Sequence, residues 1–177
     1  METPSKTQSL CLTCGICCDG TLLGKVKLRD GDPQQPLKAV GIQIETKDTK
    51  SSFRLGCAGY RGNSCQIYAD RPESCRSFRC ELLKKYESGA VSLAEAQGKI
   101  DHVKNLRNSL IEELKKTLPE RSEMSVPALL KIAPEQKELL SNPDLLKKWG
   151  PVLLCLSALS DRLRSDFWSN DKHIEGE

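Results

Sequence analysis

The chain is poor in aromatic residues, histidine and methionine. Phe, Trp and Tyr make up 5% of its 177 residues, and there are two His and two Met. Nucleic-acid binding domains combine a basic stripe with interleaved aromatics. With aromatics this sparse and a net charge of only +3, nucleic acid is not expected as a partner. Neither His102 nor His173 lies in a recognisable nucleophile context, so a serine-type triad is not indicated. No apolar run approaches the roughly 18 to 20 residues of a membrane span. The segment METPSKTQSL before Cys11 lacks the apolar stretch of a secretory signal. The expectation is a soluble, cytoplasmic protein with no membrane partner.

What the chain does contain is cysteine. There are nine, of which all but Cys155 lie between Cys11 and Cys80. A chain of this length can bury a core without covalent staples. A reducing compartment keeps structural disulfides open, and the odd count leaves one thiol over. A disulfide framework is therefore disfavoured, and metal or cluster binding is expected, with a thiol-disulfide role behind it.

Spacing carries the chemistry. In SLCLTCGICCDG, Cys11, Cys14 and Cys17 recur every third residue, and Gly15 lets the backbone turn so that sulfurs can reach one centre. This C-x2-C-x2-C run is the start of the bacterial ferredoxin pattern, in which three ligands serve one [4Fe-4S] cluster and a fourth comes from elsewhere. It is also a double C-x2-C knuckle of the kind that builds four-cysteine zinc sites. Cys18 follows Cys17 directly. Adjacent side chains in an extended segment point in opposite directions, so the two thiols suit different centres, or one is a spare. A radical-SAM reading is disfavoured, because Cys11, Cys14 and Cys18 give its spacing in reverse order.

The second set is Cys57, Cys65, Cys75 and Cys80, each beside a turn signal or a helix end. Four plus four thiols suit two four-thiolate sites, or one cluster with thiols left for a second metal or for redox work. Four thiolates on a divalent ion leave a formal charge of about minus two, which nearby guanidinium groups and N–H donors offset. Arg71, Arg76 and Arg79 bracket Cys75 and Cys80 and are candidates for that role. They could equally be solvated surface arginines or hold an anionic substrate. Asp19 is a candidate turn cap or acid-base group. Tyr60 and Tyr68 flank Cys65 as hydrogen-bond donors or as packing. Cys155, in PVLLCLSAL, reads as a small buried hydrophobe.

Along the chain, residues 1–88 are rich in Gly and Pro. Strand-like runs occur at 22–28 and 40–45, joined by the turn-rich RDGDPQQP. A helix is expected to start around Asp70 to Glu73, with Pro72 in its first turn, and to stop at Gly89. Ser92 and Glu95 form a capping-box pattern. From there Ala96, Ile100, Val103, Leu106, Leu110, Ile111 and Leu114 keep helical spacing, which predicts one long helix over about 92–118. Shorter helices follow to about residue 168, with Pro151 placed to bend or split the last.

CLTCGICC followed by CQIYADRPESCRSFRC closely resembles the YkgJ-like cysteine-cluster proteins, the CxxCxxCC family of zinc- or iron-chelating domains. The resemblance covers about residues 9–85. It implies a metal-chelating domain whose cysteines correspond to Cys11, Cys14, Cys17, Cys18, Cys57, Cys65, Cys75 and Cys80. Tyr68, Arg71, Pro72, Arg76 and Phe78 match the family's C-x-I-Y-x-x-R-P-x-x-C-R-x-F segment. A distant branch with a similar cysteine set, the flagellin lysine N-methylases, carries an iron-sulfur cluster and uses S-adenosylmethionine. This chain is much shorter and has no convincing glycine-rich cofactor loop, so methyl transfer carries over weakly.

The expected fold is α+β: a small, irregular, metal-stapled cysteine-rich domain with short strands (1–88), followed by an all-helical C-terminal region (89–177). The expected function is metal binding by the eight cysteine thiolates, with Arg71, Arg76, Arg79, Tyr68 and Asp19 around them. The C-x2-C-x2-C run and the surplus of thiols favour an iron-sulfur cluster, [4Fe-4S] above all, in a redox or modification-support role. Rival readings are a zinc-stapled, non-catalytic interaction module whose C-terminal helices bind a protein partner, and a metal-handling protein or cluster-dependent methyltransferase-like enzyme. The sequence leaves open whether the chain is an enzyme.

Overall fold

The computed structural model describes residues 6–168. It is α+β, with short antiparallel strands in the first half and helices dominating the second. Helix α1 (Lys6–Cys14) carries the first two cysteines and ends at Gly15, whose φ of 71° stops helical propagation. Strands β1 (Lys25–Lys27), β2 (Glu45–Lys47) and β3 (Lys50–Arg54) form an antiparallel sheet in the order β1-β3-β2. Its register sets Val26 opposite Phe53, both buried. A second hairpin pairs β4 (Tyr60–Arg61) with β5 (Ser64–Cys65), with Tyr60 opposite Cys65.

The strand-like runs are only partly strands. Of residues 22–28, the strand comprises 25–27. The alternating stretch Val40, Ile42, Ile44 is instead the exit of helix α2 (Gln34–Ala39): Gly41 turns at φ 89° and the Ile42 N–H returns to the Leu37 carbonyl at 3.0 Å. Local capping satisfied these backbone groups before a neighbouring strand could. RDGDPQQP likewise begins as a turn, in which Asp32 accepts from the Arg29 N–H at 2.8 Å, and then enters α2.

The helix expected from about residue 70 to Gly89 is two helices, α3 (Glu73–Ser77) and α4 (Glu81–Glu87), with Phe78 and Cys80 extended between them. The start of α4 is tied to the far end of the chain, where the Glu81 N–H donates to the Phe167 carbonyl at 3.0 Å. That anchor and the packing of Phe78 and Cys80 on the helical core hold the break open.

Helix α5 (Leu93–Thr117) is the long helix of the sequence reading. Its start is a complete capping box: Ser92 Oγ accepts from the Glu95 N–H, and Glu95 Oε2 accepts from the Ser92 N–H. Ala96, Ile100, Val103, Leu110 and Leu114 are its buried stripe. A 3-10 turn at Pro119–Arg121 leads to α6 (Val126–Ile132), α7 (Gln136–Ser141) and α8 (Pro143–Asp166). Pro151 lies inside α8 without splitting it, because Trp149, Val152, Leu156, Leu159 and Leu163 bury the same face on both sides of it. Buried Asp166 joins α8 to α5 through Lys99 and forms an ion pair with Arg162 at 3.5 Å.

Two apolar cores result. The larger is helical and takes in Leu10, Ile16, Leu22, Leu82 and Leu83 from the cysteine-rich half alongside α5, α6 and α8. The smaller consists of Val26, Leu37, Ile42, Phe53, Leu55 and Ile67. Among the described residues no helix is long and apolar enough to cross a membrane.

The capping box makes a direct prediction. Ser92→Ala removes the acceptor for the Glu95 N–H and should cost about 1 kcal/mol. Urea unfolding should show a lower midpoint with an unchanged slope.

Candidate metal centre

Helix α1 places Cys11 and Cys14, and the loop between α1 and β1 places Cys17 and Cys18. Gly15 and Gly20 stand at its two ends with φ of 71° and 83°. A Cβ at Gly15 would run into the Tyr60 phenol ring, and one at Gly20 would lie 2.9 Å from the Gly56 nitrogen. Between them the Asp19 N–H bonds the Gly15 carbonyl at 2.9 Å and the Leu22 N–H bonds the Ile16 carbonyl at 3.0 Å. Buried Ile16 and Leu22 pin this loop to the helical core. The Cys18 carbonyl accepts from the Cys57 N–H at 2.7 Å, which ties the loop to the segment between the two sheets.

The eight thiols fall into two neighbourhoods. Cys17 interacts electrostatically with Cys14, Cys80 and Cys11, and Cys14 with Cys80 and Cys11. Cys18 interacts with Cys65, Cys57 and Cys75, and Cys75 with Cys57 and Cys65. The interaction of Cys17 with Cys18, its chain neighbour, crosses between them. Packing follows the same division. Cys14, Cys17 and Cys80 lie against the helical core, whereas Cys57, Cys65 and Cys75 lie against the smaller one. The break between α3 and α4 has its use here. Cys75 and Cys80 flank it, and each joins a different set.

Burial raises most of these thiols. Cys14, Cys18 and Cys75 are pushed up to about 12 and Cys80 to about 11, with Cys17 well above its ordinary value. Neighbouring sulfurs add to the rise at Cys17 and Cys18. Opposing it, backbone N–H groups favour the thiolate: Ile16 at Cys14, Gly59 and Tyr60 at Cys57, Leu83 and Leu82 at Cys80. Such donors around sulfur are a means by which a protein tunes a metal thiolate. Cys11 is exposed as a residue, yet its sulfur is still raised by desolvation, against the pull of Arg71 and then Arg79.

The thiols are gathered, not coordinated. Among the described residues no three or more His, Cys, Asp or Glu side chains are set to hold a metal ion as they stand. The donor chemistry nevertheless fits zinc or an iron-sulfur cluster, since each neighbourhood offers four soft sulfur donors with few competing oxygen donors.

The other candidates sort themselves. The Arg71 guanidinium lies over the Tyr68 ring, 3.5 Å from its centroid, and its Nε donates to the Tyr68 carbonyl at 3.0 Å. Arg79 donates to the Arg76 and Phe78 carbonyls and pairs with Glu87 at 3.4 Å. Arg76 is exposed and pairs with Glu73 at 3.3 Å. Asp19 accepts from the Thr21 N–H at 2.9 Å, the geometry of a turn cap, and pairs with Arg107 at 3.4 Å. Burial raises its carboxyl, while Arg107 opposes the shift. Tyr60 covers Gly15 and feels Asp19, Cys18 and Cys14, so it stands between the two neighbourhoods. Cys155 packs on the helical core near Glu113 and Lys116. His102 is exposed on α5, and His173 lies outside the described residues.

Sequence reasoning missed Lys104 and Arg107. One turn apart on α5, they reach back to the cysteine loop, where Lys104 Nζ donates to the Thr13 carbonyl at 2.8 Å and Arg107 to the Asp19 carbonyl at 3.1 Å. Their i, i+3 spacing was readable as one helix face. That this face meets a loop about ninety residues earlier is a property of packing alone.

A mixed fold holding two four-cysteine neighbourhoods over separate cores describes a metal-chelating, cysteine-rich domain. Residues 10–117 match the family model CxxCxxCC, "Putative zinc- or iron-chelating domain". The match covers more than half of the chain, and the chain belongs to this family. It extends past the cysteines, beyond the 9–85 of the sequence resemblance, to the end of α5, the helix that supplies Lys104 and Arg107. No curated protein and no solved structure matches the chain.

Two outcomes are expected. Gly15→Ala forces a side chain into the left-handed region and against Tyr60. The backbone strain alone should cost roughly 1 to 3 kcal/mol, read by urea unfolding, and Tyr60→Ala in the same chain should relieve the collision but not the strain. Because the raised thiols are protonated at neutral pH, any metal must displace their protons. Metal affinity should therefore climb steeply between about pH 6 and about pH 8, with protons released on binding. Competition against a chromophoric chelator and a pH-indicator assay read both, and a flat profile would contradict the burial.

Proposed function

We propose that the protein binds metal through two sets of four cysteine thiolates: Cys11, Cys14, Cys17 and Cys80, and Cys18, Cys57, Cys65 and Cys75. The observation that carries this reading is the separation of the eight thiols into two groups of four around the Cys17-Cys18 junction. In the first set, a C-x2-C-x2-C run plus one distant cysteine is the ligand pattern of a [4Fe-4S] cluster. An iron-sulfur cluster there, in electron transfer or in support of a modification reaction, is the leading form of the proposal. A protein partner would meet α7 and α8, where Leu140, Leu146 and Leu154 are exposed.

Zinc is the second reading, and a specific observation favours it at the second set. The smaller core has six buried apolar side chains, little for a lobe built of short strands. A closed four-thiolate zinc site contributes folding energy outright. In that case the centre staples the lobe and leaves the helices to bind a partner.

Anaerobic purification separates the two. A brown protein, with iron and acid-labile sulfide in about equal amounts, supports the cluster. A colourless protein with stoichiometric zinc, which loses its fold in chelator, supports the staple. A colourless, metal-free protein that stays folded in chelator would sink both.

A further inference from the structure

The three-stranded sheet has an inner and an outer face, and the two differ in charge. Val26 and Phe53 lie opposite each other on β1 and β3 and are buried in the smaller core. Side chains alternate along a strand, so the residues on either side of these two point outwards. The register then sets Lys25, Lys27, Lys50 and Arg54 on one outer face with Glu45 and Lys47 of β2. Lys27, Lys47, Lys50 and Arg54 are exposed, and Lys25 is half-buried. Five cations thus share this face with one carboxylate, a larger excess than the net +3 of the whole chain. Glu45 is already paired with Arg54 at 3.0 Å, and Asp48 stands beyond the last pair, in the turn of the β2-β3 hairpin. The pairing works against the stability of the sheet. Lys25 lies directly opposite Arg54, and Lys47 directly opposite Lys50. Like charges so placed repel, whereas opposite charges there would attract. Lysines on edge strands guard a small sheet against pairing with another chain, and that accounts for β1 and β2. It does not account for Lys50 and Arg54, because β3 is the central strand.

We propose that the outer face of this sheet is the docking surface for an acidic segment of a partner protein, separate from the exposed leucines of α7 and α8. A segment whose carboxylates lie across the strands relieves both like-charge pairs at once, and complementary charge of this kind speeds encounter and selects the partner. Two other polyanions fit the charge but not the face. Single-stranded nucleic acid is held by aromatic side chains on which its bases stack, and the sheet's one aromatic, Phe53, points inwards. Stable attachment to an anionic membrane takes an apolar or lipid anchor besides a polybasic patch, and among the described residues the outer face offers no apolar side chain, its uncharged members being polar. Carboxylates need neither, since each can meet a lysine ammonium singly. The surface also adjoins the cysteines. Helix α3, which carries Cys75, is held to β1 by the bond from Ser74 Oγ to the Lys27 carbonyl at 2.6 Å. A partner docked on the sheet is therefore seated beside that cysteine, whichever metal the thiols hold.

The test uses a fluorescein-labelled oligoglutamate peptide, with binding to the full-length chain read by anisotropy at low salt. Wild type should bind it, and binding should weaken as salt rises. Replacing three sheet lysines together, Lys25→Gln, Lys47→Gln and Lys50→Gln, should weaken binding about tenfold. Lys137→Gln, Lys147→Gln and Lys148→Gln together remove the same charge from α7 and α8 and should change it little. Glu45→Gln should tighten binding, because it releases Arg54. Since the sheet lysines face like charges, the sheet triple variant should unfold in urea at or above the wild-type midpoint. No binding by wild type overturns the proposal. Equal weakening by the two triple variants does so as well, because net charge alone would then be read. A lowered urea midpoint for the sheet triple variant overturns it too, since the lysines would then serve the fold. Tighter binding of an oligothymidylate of equal charge, or of vesicles containing phosphatidylserine, lost in the sheet triple variant, would overturn the acidic segment as occupant and assign the face to nucleic acid or to a membrane.

Discussion

The architecture depends on one peptide bond, between Cys17 and Cys18. Held in a loop that two left-handed glycines close, these neighbours lean on different parts of the molecule. Cys17 belongs with the helical core and Cys18 with thiols on the smaller one. Everything else that brings cysteines together can be read as serving one side or the other. Helix α1 offers Cys11 and Cys14 at an i, i+3 spacing that puts both on one face. The β4-β5 hairpin brings Cys65 back beside Tyr60, next to the turn that carries Cys57. The interrupted helix pair sends Cys75 one way and Cys80 the other. In an unbroken helix, residues five apart lie about 140° around the axis from each other on a rigid rod, and two separate centres are harder to reach from such a rod than from a hinge.

The same junction decides the electrostatics. Thiols packed this closely and this dry are neutral when free, and burial is the largest cause at each raised cysteine. Turning them into thiolates concentrates negative charge in a part of the chain that must then be balanced. Arg71 and Arg79 come from the segment that carries Cys75 and Cys80, and Lys104 and Arg107 come from α5. The long helix is thus part of the site. Its apolar stripe packs on α8, and its basic residues hold the carbonyls of the cysteine loop. This gives a physical reason for the family match to run through Thr117 and past Cys80.

Much of this was legible in the sequence, because it rested on local rules. The capping box at Ser92 and Glu95, the stop at Gly89 and the heptad-like stripe of α5 all depend on residues within a turn or two of one another. That Cys17 and Cys18 suit different centres was expected for an extended segment, whereas the structure sets both in a turn, so their division comes from the packing around the loop. What was not legible depends on distant partners. Val40, Ile42 and Ile44 alternate as a strand should, but a neighbouring strand has to compete with the helix exit at Gly41, and the exit won. The break at Phe78 to Cys80 is held by the Phe167 carbonyl almost ninety residues on. Lys104 and Arg107 resembled any solvated pair on a helix. The eight cysteines could be named as one set, but how they divide four and four depends on which core each segment packs against.

The division also changes what the two metals would mean to the molecule. A centre made by Cys11, Cys14, Cys17 and Cys80 joins α1 to α4 over a core that twenty buried residues already hold together. Removing its metal would cost that core little, so this set is free to be tuned for redox potential or exchange. A centre made by Cys18, Cys57, Cys65 and Cys75 would close a lobe with a small core and short strands, where a metal would be a large share of the folding energy. Chemically similar donor sets can therefore carry different duties. The one that is thermodynamically dispensable is the one better suited to react.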